Sequence, residues 1–181
     1  VAARWRESGM LARLSQPSPM LVEPRVASDV EALMQRYARQ LREKGTAMLC
    51  CVVGGKLSEG INFADDMARV VVVVGLPYPN PSDPELRHKM ELIEARHKGG
   101  GGEYYEHVCM RAVNQSIGRS IRHRGDYALT LLLDERWAGE RLRRQLPGWI
   151  QRSLRAARGA GDALAQVEAF FAVAAARRAG G

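Results

Sequence analysis

Three observations predict an α/β domain built on a mostly parallel sheet with helices on both faces. Short apolar runs occur at 47–53 (AMLCCVV), at Val70–Val74 and at Leu129–Leu133, and each is closed by a Gly or an Asp. Such runs fit strands buried on both sides. Segments with helical spacing alternate with them, which is the pattern of parallel strands joined by crossover helices. The 181 residues amount to about one domain, enough to bury a core without disulfide or metal staples.

The elements follow in order. Residues 5–14 read as the tail of a helix. Pro17-Ser18-Pro19 marks a turn, and Met20-Leu21-Val22 a short strand. Ser28 or Asp29 is placed to cap a helix. Its apolar positions, Val30, Leu33, Met34, Tyr37 and Leu41, recur at three- and four-residue spacing. Gly45 ends it, as glycine commonly does just past a helix. Two helical patterns lie between the second and third apolar runs. The four glycines at 99–102 that separate them read as a flexible surface linker. A last helix at 163–178 has Leu164, Val167, Phe170, Phe171 and Val173 as its apolar face. The organisation expected is a main domain at 1–158 followed by a C-terminal helix and tail at 159–181. Ligands in such sheets sit at the carboxyl ends of the strands, so the loops after Val53, Val74 and Leu133 are the first places to look.

Composition narrows the class. Apolar residues are 46% and charged residues 26%, which excludes a disordered chain. No stretch approaches 18 uncharged apolar residues, so no membrane span is expected. The sequence opens on Val without a signal-type apolar region, so an N-terminally truncated domain is expected. The net charge is +7. The segment 111–158 carries eleven Arg, no Lys and four acids, and thus accounts for the whole excess. Arginine favours bidentate recognition of phosphate, so the segment reads either as a solvated basic face or as a surface for a polyanion. Three Cys give no complete disulfide framework. Adjacent Cys50 and Cys51 within an apolar run suggest buried thiols in a reducing compartment.

The segment 103–123 holds the most chemistry. Met110, Val113, Ile117 and Ile121 form one helical stripe, and Gln115, Arg119 and Arg122 form another on roughly the opposite side. Two Arg and a Gln on one face suit phosphoryl transfer, where arginine stabilises charge spread over the transferring group. Gly118 would sit mid-helix at a cost of about 1 kcal/mol, which a tight approach to a ligand or a neighbouring element would rationalise.

The string Gln115-Ser-Ile-Gly118-Arg119-Ser-Ile-Arg122 resembles motif VI (QxxGRxxR) of superfamily 2 helicases. Gly55-Lys56-Leu57-Ser58-Glu59-Gly60-Ile61-Asn62-Phe63 is similar to motif V (GKxSEGIDF) of the XPD-like iron–sulfur DNA helicases. VVVVVGLPYP at 70–79 resembles the strand and turn that follow it. Asp126-Tyr127 resembles the start of the next strand, and LPGWI at 146–150 the family's LPxWI. Asn62, the Asn114-Gln115 pair and the C-terminal helix are most similar to the chromosome-loss-related (ChlR, DEAD/H-box 11) branch. The resemblance implies the second of two RecA-like (P-loop NTPase-type) motor domains, which together enclose ATP and Mg2+. It implies catalytic roles for Gln115, Arg119 and Arg122, nucleotide contacts from these and from Gly60 and Asn62, and DNA contacts from Lys56, Ser58 and Glu59. Asn62 stands where the family commonly has Asp, so a charged contact there is in question. The implied protein is an ATP-dependent DNA helicase of the nucleus, acting in DNA repair on single-stranded or forked DNA. Its partner is the missing first RecA-like domain. The fragment alone is expected to be inactive. The alternative is a degenerate helicase-like module that binds nucleic acid or protein without hydrolysing ATP.

Several features lead nowhere. Gly54-Gly55-Lys56 is followed by Leu57, not by the Ser or Thr of a P-loop. The three Cys lack the spacing and number for a 4Fe–4S cluster, which the resemblance places in the missing half. No metal site is expected in this chain. His88, His97, His107 and His123 show no ligand spacing. Trp5, Trp137 and Trp149 read as packing anchors.

Overall fold

Leu21–Val22 (β1) and Leu49–Cys50 (β2) pair in parallel, Leu21 opposite Leu49 and Val22 opposite Cys50, in the computed structural model of the chain. The structure describes residues 2–16, 19–55, 57, 63, 65–121, 123 and 125–179. The predicted turn at Pro17-Ser18-Pro19 lies partly outside them. The chain forms two compact units, 1–62 and 63–181.

In the first unit, the expected helix at 5–14 is two helices, Ala2–Glu7 (α1) and Met10–Leu14 (α2). Gly9 breaks them apart with a φ of 71°, a conformation that glycine adopts without steric cost. β1 lies within the predicted strand. Val30–Lys44 (α3) follows a 3-10 turn at Ala27–Asp29. Asp29 occupies the N-cap position, but its carboxylate caps no backbone N–H. Ser28 Oγ instead donates to that carboxylate at 3.1 Å. Leu33 and Tyr37 are buried, and Gly45 closes the helix at φ 67°. The Gln40 side chain donates to the Pro19 carbonyl at 2.8 Å, tying α3 to the entry of β1.

The predicted strand at 47–53 shrinks to β2. Its ladder reaches only from Leu21 N–H on Met48 O to Glu23 N–H on Cys50 O, both 2.9 Å. Beyond it the chain turns, leaving Val52 68% exposed. The expectation of two buried thiols at this run is corrected: Cys50 is half-buried and Cys51 exposed, whereas Cys109 is the buried one.

In the second unit, Val70–Val74 (β3) and Leu129–Leu133 (β4) pair in parallel along their full predicted lengths, Val70 opposite Leu129 through Val74 opposite Leu133. The all-apolar β3 predicts burial throughout, yet it alternates. Val73 is 4% exposed, while Val70, Val72 and Val74 are 42%, 48% and 54% exposed. Pro84–Arg96 (α4) begins at Asp83, whose carboxylate accepts from the Leu86 N–H at 2.9 Å.

The glycine run is not a linker. Gly99 caps Gly100–Gly118 (α5), and Gly100, Gly101 and Gly102 form its first turn. The Glu94 carboxylate accepts from Gly99 N–H at 2.9 Å and from Gly101 N–H at 3.0 Å, joining α4 and α5 into a tight hairpin. A Cβ at Gly100 would meet Ile93 Cγ2 at 2.8 Å, and one at Gly101 would meet the Met90 carbonyl at 2.8 Å. Close packing, rather than flexibility, calls for glycine there.

Glu140–Arg143 (α6), Gly148–Ser153 (α7) and Ala160–Ala179 (α8) complete the unit. α5 packs on β3. The core gathers Leu76, Cys109, Met110, Val113, Ile117, Trp137, Leu142, Leu146 and Ile150. The LPGWI segment thus serves packing through Leu146 and Ile150. Trp149, expected as an anchor, is instead 43% exposed, while Trp137 fills that role at 8%. The apolar face expected on the last helix divides. Val167, Phe170 and Phe171 are half-buried, with Phe170 6.3 Å from the Tyr127 ring, whereas Leu164 and Val173 are 63% and 54% exposed. No helix among the described residues is long and apolar enough to cross a membrane.

Candidate functional site

Met110, Val113 and Ile117 are 1%, 0% and 0% exposed, so the predicted apolar stripe anchors α5 in the core. The helix then stops at Gly118 rather than running to 123. Just past that end the Ser120 hydroxyl donates to the Ile117 carbonyl at 3.0 Å. Its own N–H turns onto the same carbonyl at 3.4 Å. The expectation of a helix running to 123 is therefore corrected. Gln115 lies in the last turn, Arg119 is the C-cap residue, and Arg122 lies outside the described residues.

Gln115 is exposed and Arg119 half-buried. Gly118 is the last helical residue rather than a mid-helix one, and a Cβ there would meet nothing within 4 Å. No neighbouring element among the described residues requires that glycine.

Gln115 opens onto a groove of about 500 Å³ lined by His107, Met110, Arg111, Asn114, Gln115 and Gln145. Its volume is in the range of small-ligand sites. His107, Arg111 and Gln115 recur every fourth residue, so they form one row along α5. The motif string begins at Gln115 and leaves the earlier positions of the helix unmarked. The same four-residue spacing, followed backwards, would have found Arg111 and His107. The Asn114 side-chain amide donates to the Gln145 carbonyl at 3.0 Å, closing one wall.

The loops after Val74 and Leu133, expected to matter, do meet. Arg136 clasps Asp134 with Nε on Oδ1 at 2.8 Å and Nη2 on Oδ2 at 2.7 Å. That bidentate pair holds the Asp134 carboxyl down at about 2. The Arg136 guanidinium lies 5.6 Å from the Tyr78 ring centroid, and Tyr105 stacks on the same ring at 4.9 Å. Tyr78 is thereby occupied by the protein itself. The basic segment is partly spent in the same way: Arg136, Arg141 and Arg144 pair with Asp134, Glu106 and Glu140. Arg111, Arg152, Arg155 and Arg158 are exposed.

In the first unit, the loop after β2 is tied at its base. Glu23 accepts from Val52 N–H at 2.7 Å and from Leu57 N–H at 2.9 Å. Nothing in the sequence pattern singled out Glu23. Lys56, Ser58, Glu59, Gly60 and Asn62 lie outside the described residues.

The four histidines, which show no ligand spacing, are exposed. Among the described residues no three His, Cys, Asp or Glu side chains are grouped as metal ligands. Cys109 is fully buried, and burial pushes its thiol up to about 11. These cysteines do not fit an iron–sulfur cluster.

Residues 1–153 match the family described as "Helicase C-terminal domain". The chain is 41% identical over 179 residues to the ATP-dependent DNA helicase CHL1 of Meyerozyma guilliermondii, covering 93% of this chain and 22% of that protein. It is 43% identical over 169 residues to the ATP-dependent DNA helicase chl-1 of Caenorhabditis elegans, covering 93% and 20%. Against the ATP-dependent DNA helicase DDX11 of Danio rerio the identity is 42% over 183 residues, covering 94% and 21%. The chain thus spans about a fifth of the length of these curated relatives.

Proposed function

The chain belongs to the helicase C-terminal domain family, in the ChlR branch of the XPD-like superfamily 2 helicases, and on that premise we propose that it is the second motor domain of an ATP-dependent DNA helicase. Gln115, Arg119 and Arg122 address the γ-phosphate of an ATP–Mg2+ held by the first motor domain. The two guanidiniums stabilise the charge that builds on the transferring phosphoryl group, and Gln115 orients the phosphate or the attacking water. Gly60 and Asn62 contact the nucleotide from the loop after β2. Lys56, Ser58 and Glu59 of that loop meet single-stranded or forked DNA, so that hydrolysis is felt at the DNA. The 4Fe–4S cluster belongs to the first half of the protein, and the whole works in the nucleus in DNA repair.

One observation carries this reading. Gln115 and Arg119 lie one turn apart at the end of α5, and Gln115 stands in a row with Arg111 along an open groove. That is a polar, cationic helix end presented to a ligand from outside the unit.

The test is ATP turnover, stimulated by single-stranded DNA, in the full-length protein. Arg119→Ala and Arg122→Ala are each expected to lower it by about 10³–10⁵-fold. The 181-residue chain alone is expected to show no turnover. Full-length variants that hydrolyse ATP like the wild type would defeat the proposal.

A further inference from the structure

We propose that Trp149, Arg152, Arg155 and Arg158 form a contact site for single-stranded nucleic acid, in which the indole stacks on a base and the guanidiniums take the phosphates. The site lies wholly within the second unit and rests on none of the residues of the loop after β2.

Residues 141–161 hold six Arg, no Lys and no acid. Three of the six are engaged by the protein itself. Arg141 and Arg144 pair with Glu106 and Glu140, and Arg143 donates to the Ala138 carbonyl at 3.1 Å. Arg152, Arg155 and Arg158 are exposed, and their guanidiniums pair with no acid among the described residues. The next acid along the chain, Asp162, is already occupied: Oδ2 accepts from the Arg158 N–H at 2.8 Å, and Oδ1 accepts from the Gln166 amide at 3.1 Å. Three guanidiniums are thus left for an outside anion, and their paired N–H groups suit phosphate.

Charge alone would suit any polyanion, and Trp149 narrows the choice. It is 43% exposed, although its neighbour Ile150 is buried. No ring or guanidinium of the described residues stacks on it. Trp149 and Arg152 are three apart on α7 and so are neighbours on its surface. The mount is fixed: Gln151 Nε2 donates to the Leu146 carbonyl at 2.6 Å and to the Arg144 carbonyl at 3.0 Å, and the Ser153 hydroxyl donates to the Ile150 carbonyl at 3.1 Å. Leu154 leaves the helix in extended backbone, with φ −65° and ψ 129°. The connector that carries Arg155 and Arg158 is fastened to α8 by the Arg158–Asp162 bond and by Gln166 donating to the Ala156 carbonyl at 3.4 Å. An aromatic platform beside unpaired cations is how proteins hold single strands, by stacking the bases and neutralising the backbone. A duplex keeps its base faces inside the stack, and an acidic peptide has none to offer, so a single strand is the occupant.

The experiment uses the 181-residue chain with three fluorescent probes: oligo-dT, an abasic strand of the same length, and oligo-glutamate. Affinity is read by anisotropy across a salt series. Trp149→Ala is expected to weaken oligo-dT binding about tenfold, within the range for one stacked base, and to leave the salt slope and the abasic affinity unchanged. Trp149→Phe keeps a stacking face and is expected to bind within about threefold of the wild type. Arg152→Ala/Arg155→Ala/Arg158→Ala is expected to lower the salt slope by about 2, since each phosphate contact on a single strand contributes about 0.7. The corresponding triple Lys variant keeps the charges and should keep the slope. Wild-type affinity for oligo-dT in Trp149→Ala, or an equal loss on oligo-dT and the abasic strand, would show that no base is stacked and overturn the inference. So would an unchanged slope in the triple Ala variant. Oligo-glutamate bound as tightly as oligo-dT would reassign the surface to an acidic protein, and a wild-type chain that does not bind oligo-dT would leave it without a ligand; either result overturns the inference.

Discussion

Asn114 donates its side-chain amide to the main-chain carbonyl of Gln145 at 3.0 Å, which fastens α5 to the turn before α7 one residue ahead of Gln115. Two turns earlier on the same helix, Glu106 accepts from the Gln145 side chain and from Arg141. The wall of the groove is thus held to the helix at two levels. Asn114→Ala removes the upper one. A lost hydrogen bond of this kind costs about 1 kcal/mol, and thermal unfolding should show a midpoint about 2–4 °C lower.

The three glycines that open α5 separate by position. Gly101→Ala forces a Cβ to 2.8 Å from the Met90 carbonyl and should destabilise by about 1–3 kcal/mol, the usual cost of overpacking. Gly102→Ala meets nothing within 4 Å and should stabilise by about 0.5–1 kcal/mol through helix propensity. Paired denaturant titrations of the two variants check the opposite signs.

Gly118 gives a different contrast. With nothing near its Cβ position, Gly118→Ala should leave the chain as stable as before, or up to about 1 kcal/mol more so. If a ligand is what requires the glycine, the full-length variant should lose ATP turnover despite its stability. Turnover at the wild-type rate would show that nothing approaches there.

Cys109 should resist alkylation in the folded protein. It is fully buried, and burial raises its thiol to about 11, so at pH 8 little of the reactive thiolate exists. Mass mapping after treatment with a thiol reagent should find Cys109 unmodified until denaturant is added.

The Asp134–Arg136 clasp predicts an acid dependence. Asp134 is lowered to about 2, first by its hydrogen bonds from Arg136. A carboxylate whose folded value is depressed contributes stability in full above its unfolded value near 4. That contribution is lost as pH falls toward the folded value. Asp134→Asn should therefore narrow the gap in unfolding midpoint between the wild type and the variant from pH 5 to pH 2. An unchanged gap over that range would show that the clasp adds nothing.

Much of this molecule was legible from one dimension. β3 and β4 begin and end where their apolar runs do, because runs of valine and other aliphatic residues favour extended strands, although β3 leaves alternate valines exposed. Met110, Val113 and Ile117 are core residues, as their spacing says they must be. The motif residues Gln115 and Arg119 could be singled out because their order is local. The glycines at 99–102 look like slack in the sequence because composition alone cannot reveal that Ile93 and Met90 lie against them.

The sequence by itself determined the α/β class, the parallel strands, the core face of α5 and the family, all of which rest on periodicity or on contiguous strings. Only the tertiary structure decided that α5 ends before Arg119, that Arg111 and His107 extend the Gln115 row along a groove, and that Glu23 grips the loop after β2. Such contacts join residues far apart in the chain. Glu23 and Leu57 are 34 positions apart, and a pairing at that distance leaves no periodic trace for a sequence to carry.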